Sequence, residues 1–144
     1  MDIETQIIKD YKEFIINNSI FGELLENNKT ILPNSPQSFS KFPTIIIKEA
    51  NNTSNTFATT LDRIEYANNL VYQVDIYARD VKIGNTKYAA RTVMNELKQL
   101  TFEFFRKMGF NRETGTRRDM MDISTQSYVA LFSGRINSWN MKLN

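Results

Sequence analysis

The chain predicts an α+β domain, an antiparallel sheet of about four to five strands with an N-terminal helix and one long helix packed on one face. Three observations carry this. Apolar residues recur at helical spacing near the start of the chain and again from Ala90 to Met108. Two-residue alternation marks Leu70 to Arg79 and Ser124 to Ile136, and a short β-branched run follows Pro43. At 144 residues there is room for one hydrophobic core, so residues 1–144 are expected to form a single domain.

The elements follow in order. Ile3, Ile7, Ile8, Tyr11, Phe14 and Ile15 share one helical face behind Asp2, whose carboxylate can accept the free amides of a first turn, so a helix is expected from Ile3 to Asn17. Phe21, Leu24 and Leu25 add one helical turn, and Pro33, Pro36 and the Asn and Ser residues around them mark an irregular connection. Phe42 to Lys48 is short, continuous and apolar, which predicts a buried strand at the centre of the sheet. Ala50 to Thr60 is polar and aperiodic, a loop with too little apolar surface to offset its own ordering.

Leu61 to Ala67 and Leu70 to Arg79 flank Asn68-Asn69 and predict a tight hairpin, because a two-residue loop requires φ values that Asn tolerates. In the second strand Tyr72, Val74, Ile76 and Ala78 alternate with Gln73, Asp75, Tyr77 and Arg79, so one face packs and the other is available. Ile83-Gly84-Asn85-Thr86 reads as a turn whose polar residues cap a helix running roughly from Thr86 to Met108. Its stripe is Val93, Met94, Leu97, Leu100, Thr101, Phe104, Phe105 and Met108, with Gly109 as the left-handed stop. A short strand near Phe110 is expected next, then a second polar loop from Asn111 to Asp122. The last element is a long strand from Ser124 to Ile136, with Tyr128, Ala130 and Phe132 on one face.

Composition removes much chemistry. The chain has no Cys and no His, which excludes disulfides, thiol nucleophiles, Cys- or His-ligated zinc and Ser-His-Asp triads. The acidic start Met1-Asp2-Ile3-Glu4 lacks the basic-then-apolar pattern of a signal peptide, and no apolar run approaches the roughly 20 residues of a membrane span, so a soluble, cytoplasmically made protein is expected. The net charge of +2 is unevenly spread: residues 1–40 hold three Lys against six acids, and residues 79–118 hold ten basic residues against four acids. Such asymmetry suits nucleic-acid contact or an acidic face of one subunit meeting a basic face of the next, and it is also what a solvated basic helix face looks like.

Asp62, Glu65, Asp75 and Asp80 cluster around the expected hairpin, and Asp80-Val81-Lys82 fits the Asp-x-Lys pattern with which metal-dependent nucleases hold Mg²⁺ and place a water. The pattern is common by chance and stands at a strand end, so no catalytic residue is assigned from it. Asp119 and Asp122 supply too few oxygens for Ca²⁺, which takes about 6 to 8, and the Gly84 turn has no phosphate-cradling signature; no metal and no cofactor are expected. Most aromatics lie on inferred core stripes. Tyr77 does not: it shares a face with Asp75 and Arg79, a mixture suited to an interface rim.

Four segments together resemble the tail terminator, or tail completion, proteins of long-tailed bacteriophages. They are Phe42-Pro43-Thr44-Ile45-Ile46-Ile47, Val74-Asp75-Ile76-Tyr77-Ala78-Arg79-Asp80, the long helix ending at Met108-Gly109-Phe110, and Tyr128 to Arg135. The likeness is one of pattern, covers about residues 42–136, and contains no single diagnostic motif. It implies a structural virion protein of the tail or neck, assembled in the host cytoplasm, that forms a homo-oligomeric ring, hexameric by expectation. The ring would cap the head-proximal end of the tail tube, stop its polymerisation and join the tail to the head connector. Its implied partners are other copies of itself, the tail tube protein and the head-tail connector protein, with genome DNA passing through the ring and no membrane involved. Asp75, Tyr77, Arg79, Arg112, Arg117 and Arg118 are the candidate partner-binding residues. The alternatives are another ring subunit of the head-tail neck, such as a stopper or head completion protein, and a metal-dependent nuclease or nucleic-acid binder.

Overall fold

The chain begins with helix α1 (Ile3–Asn18), which turns sharply into α2 (Gly22–Asn28) and then the two-residue strand β1 (Ile31–Leu32). The structure, a computed structural model, describes residues 3–34, 36, 39, 41–50, 69–119 and 125–135. Strands β2 (Thr44–Glu49) and β3 (Asn69–Ala78) follow, then a small hairpin of β4 (Val81–Ile83) and β5 (Thr86–Tyr88), the long helix α3 (Ala90–Lys107), and strands β6 (Asn111–Asp119) and β7 (Gln126–Arg135). The fold is α+β. Its main sheet has the order β1-β2-β3-β7-β6 and is mixed, because β1 lies parallel to β2 while the remaining pairs are antiparallel.

The central strand is β3, not the expected Phe42 to Lys48. Ile45, Ile46 and Ile47 are all fully buried, which explains the continuous apolar run of β2. Burial on both faces is a matter of layers above and below, and does not fix a strand's place in the sheet order. Thr44 to Glu49 pair with Tyr77 to Tyr72, and the whole of β3 pairs with β7 from Asn69↔Arg135 to Ala78↔Gln126. From Tyr72 to Tyr77 both edges of β3 are therefore occupied, and Asn69 is a strand residue, not a turn residue. The other arm of the expected hairpin, Leu61 to Ala67, lies outside the described residues, as does the expected loop after Ala50. Ala50 itself donates its N–H to the Val71 carbonyl at 2.8 Å, continuing the β2–β3 ladder.

The expected loop from Asn111 to Asp122 is, over Asn111–Asp119, the edge strand β6 paired with β7. The open edge of β7 needs partners for its backbone groups, and a polar segment supplies them as well as an apolar one. A register shift between Arg112 and Thr114 absorbs one residue as a bulge.

Helix α3 starts four residues later than the pattern suggested, since Thr86–Tyr88 belongs to β5. Gly84 sits at the first central position of the β4–β5 turn with φ 60, the position a II′ hairpin reserves for glycine. The helix stops as expected. Gly109 has φ 87, its N–H bonds the Arg106 carbonyl at 3.0 Å, and the Phe110 N–H reaches back to the Phe105 carbonyl at 2.8 Å, the paired bonds of a Schellman ending.

Both long helices lie on one face of the sheet. Ile7, Tyr11 and Ile15 of α1 and Met94, Leu97 and Phe105 of α3 are fully buried above Tyr72, Val74, Ile76 and Ala130. Within this layer the Tyr11 hydroxyl lies 2.7 Å from the Thr101 hydroxyl, which itself donates to the Leu97 carbonyl at 2.8 Å, so Tyr11 is the donor of the pair. Burial pushes the Tyr11 phenol well above its ordinary range, with the Thr101 bond pulling the other way. The folded chain thus keeps this proton at a pH where the unfolded chain, at about 10, gives it up. Its stabilising contribution is constant below that pH and is lost above it, at about 1.4 kcal/mol per pH unit. Urea titrations between neutral and strongly alkaline pH are expected to show a steeper alkaline loss for the wild type than for Tyr11→Phe.

Candidate functional site

The six candidate residues fall into three places. Asp75 and Tyr77 alternate along β3 on the face turned away from the helices, as the sequence implied, and Arg79 follows one residue past the strand's end. That face is not simply open. Asp75 is only 6% exposed; it stands between Ile46 and Val129 in register and accepts a hydrogen bond from Gln73 Nε2 at 3.0 Å. It belongs to the packing between strands, and a rim position is left to Tyr77 and Arg79, both half-buried.

Those two residues meet aromatic rings from the β1–β2 connection. Phe39 lies against Tyr77 with centroids 4.7 Å apart, and the Arg79 guanidinium sits 4.4 Å from the centroid of Phe42. Arg79 Nε also donates to the Thr125 hydroxyl at 2.6 Å. Thr44, Thr125 and Ser127 are buried around them. The result is a half-buried ledge of ring, guanidinium and hydroxyl groups, covered by a segment whose lack of periodicity hid its role.

Arg112 is on the helix side of the sheet. Its guanidinium lies 5.3 Å from the Phe102 centroid, its Nη1 donates to the Tyr128 hydroxyl at 3.3 Å, and Lys98 Nζ stands 5.1 Å from the Tyr128 centroid. Phe102 is 38% exposed, so this is a surface ridge of cations on aromatic faces. Arg117 and Arg118 lie on β6, opposite Tyr128 and Ser127 of β7. The structure brings Asp75, Tyr77 and Arg79 together and puts Arg112 on the other face, while Arg118 stands in the register row of Ser127 and Tyr77, one strand beyond Ser127.

Of the acidic N-terminal stretch, the described side chains of α1, α2 and the turn after them expose Glu13, Glu23 and Glu26 together with Lys9, Lys12 and Lys29, and Asp2 and the Glu4 side chain lie outside the described residues.

The acids around the expected hairpin do not converge in the described structure, and Asp62 and Glu65 lie outside it. Asp80 caps α3: its Oδ1 accepts the Ala90 N–H at 2.8 Å, and its Oδ2 stands 3.7 Å from Lys87 Nζ. Lys82 is exposed on β4. Asp119 ends β6, and Asp122 lies outside the described residues. Among the described residues no group of three or more Asp or Glu is placed to hold a metal ion, and no helix is long and apolar enough to cross a membrane.

Two features carried no sequence signal. Glu96 on α3 accepts hydrogen bonds from the Ser19 hydroxyl and, at 2.9 Å, from the Ile20 N–H, which ties the α1–α2 turn to the long helix. A cavity of about 240 Å³, lined in part by Lys29, Thr30, Phe39 and Lys41, adjoins the Tyr77 ledge. Both depend on residues brought together from distant parts of the chain. No protein-family model and no curated protein sequence matches the chain.

Proposed function

We propose that the chain is a structural subunit of a phage virion that closes into a hexameric ring on the head-proximal end of the tail tube, stops tube growth and joins the tail to the head connector. The resemblance of residues 42–136 motivates this, and the α+β architecture with two helices on one face agrees with the subunit it implies. The observation that carries the ring is the inequality of the two ends of the sheet. One end is the two-residue β1; the other is the nine-residue β6, whose outer edge pairs with no strand among the described residues. A ring requires a head-to-tail interface built from two unlike surfaces, and unlike sheet edges provide them.

Disrupting the gene in its phage tests the reading. The expected result is overlong tails that fail to join heads, with restoration by the wild-type chain. Arg117→Glu combined with Arg118→Glu on β6 is expected to reproduce the long tails while folding normally. Tails of normal length that fail to join heads would favour a neighbouring neck subunit. Normal tails joined to heads would overturn a tail or neck role altogether.

A further inference from the structure

Among the described residues three large apolar side chains are exposed: Ile20 at 56%, and Ile83 and Phe102 at 38%. Ile20 and Phe102 stand in surroundings of opposite charge. Phe102 lies on a stripe of α3 in which Arg91, Asn95, Lys98, Phe102 and Arg106 recur at four-and-three spacing, all exposed except the half-buried Lys98. Arg112 of β6 extends this ridge, with its guanidinium 5.3 Å from the Phe102 centroid and its Nη1 donating to the Tyr128 hydroxyl at 3.3 Å. Lys98, Arg106 and Arg112 form no ion pair among the described residues.

Ile20 has the complementary setting. It precedes α2, whose seven residues hold two acids, Glu23 and Glu26, and no base. Both acids are exposed, neither carboxylate is paired among the described residues, and the next cation in sequence, Lys29, comes after the helix has ended. Ile20 is not loose, because Glu96 of α3 accepts its N–H at 2.9 Å. The Arg112 guanidinium is fixed in turn by Phe102 and Tyr128. Surfaces ordered before they meet lose less freedom on meeting.

The two patches belong to opposite ends of the sheet order: α2 runs into β1, the first strand of that order, and Arg112 is on β6, the last. An isologous contact through either patch would set like charge against like. A head-to-tail contact instead sets a cationic ridge with an exposed ring against an anionic corner with an exposed isoleucine, which matches both charge and apolar surface. A nucleic acid would find the cations but little to stack on, since Tyr128 is buried and Arg112 already lies on the Phe102 ring. We propose that the α3 ridge around Phe102 docks the Ile20 to Glu26 corner of a second copy of this chain. The proposal rests on the ring reading above and names the surfaces that close it.

The chain has no Cys, so position-specific cross-linking of the full chain tests the contact. Asn27→Cys marks the acidic corner and Asn95→Cys the ridge; both side chains are exposed and neither is one of the charges invoked. Mixed and treated with a short bismaleimide, the two variants are expected to give a dimer joining one of each, and neither variant alone should give one. Glu23→Lys with Glu26→Lys on the first chain, or Lys98→Glu with Arg106→Glu on the second, should cut the yield about tenfold, and the two reversals together should restore it. Thermal melts check that the reversed chains fold, with Arg91→Glu replacing Lys98→Glu if they do not. No dimer from the mixed pair, a dimer from either variant alone, or a loss that the paired reversal does not restore would each overturn the proposal. So would an oligonucleotide retained by the wild type and lost with Lys98→Glu and Arg106→Glu while no dimer forms, which would make the ridge a nucleic-acid face. A ring held by other surfaces would still cap tails yet give no dimer, which separates failure of this contact from failure of the ring reading.

Discussion

Gly22→Ala is expected to lose about 3 kcal/mol of stability, a fall in melting temperature of roughly 10 °C. Gly22 opens α2 against the last turns of α1, and a Cβ placed on it would lie 2.0 Å from the Ile16 carbonyl oxygen and 2.8 Å from its carbon. Both atoms are backbone, so no side chain can swing aside. The junction cannot simply widen either. The Gly22 N–H bonds the Ser19 carbonyl at 3.0 Å, Ser19 Oγ accepts the Phe21 N–H at 2.9 Å, and Glu96 holds the same turn from α3. Gly84→Ala is the control. Gly84 has φ 60, and a methyl group added there would meet nothing within 4 Å, so only the left-handed backbone penalty of about 1 kcal/mol should appear. Thermal melts of the two variants separate lack of space from lack of conformational freedom; equal losses would show that the α1–α2 contact has room to give.

Phe105→Ala is expected to cost about 3–5 kcal/mol, enough to leave a domain of this size marginal. The side chain is fully buried and is the hub of the aromatic layer between helices and sheet. Its ring stacks on Phe132 at 4.5 Å and 10°, and has further ring neighbours in Phe104 at 5.1 Å, Phe110 at 5.4 Å, and Tyr11 and Tyr72 at 5.9 Å. Rings drawn from two helices and two strands cannot all collapse into the space one of them leaves. Phe102→Ala, three residues earlier on the same helix but 38% exposed, should cost about 1 kcal/mol or less. Urea unfolding followed by circular dichroism checks the pair, and similar midpoints would show that the buried face of α3 is misplaced.

The buried face of α3 was legible because Val93, Met94, Leu97, Thr101, Phe104 and Phe105 recur at three-and-four spacing, and all six are buried. Alternation likewise exposed the two faces of β3 and β7, including the shared face of Asp75 and Tyr77. What escaped depends on distant partners. β6 is selected by the backbone groups of β7 and carries no apolar rhythm of its own. The start of α3 was misplaced because its cap is Asp80, on the far side of the β4–β5 hairpin, while Asn85 and Thr86 offered a nearer cap that is not used. β4 and β5, three residues each, are too short for any period to show. In the candidate site, the burial of Asp75 follows from Ile46 and Val129 on either side, and the cover over Tyr77 and Arg79 comes from Phe39 and Phe42 in a stretch with no periodicity. Neither neighbour relation is written in local sequence.

The strand order has a temporal consequence. Residues 79–125 separate β3 from β7, yet the two pair along their whole length at the middle of the sheet. As the polypeptide emerges from the ribosome, β2 and β3 can meet early, but one flank of β3 then stays bare until α3 and β6 have also been made. Through that interval Tyr72, Val74 and Ile76 lack Phe132, Ala130 and Tyr128 beside them. Non-local pairing of this kind slows folding and leaves a hydrophobic strand open to wrong partners. The sheet becomes whole only when its second-from-edge strand arrives and slots between two neighbours already waiting for it.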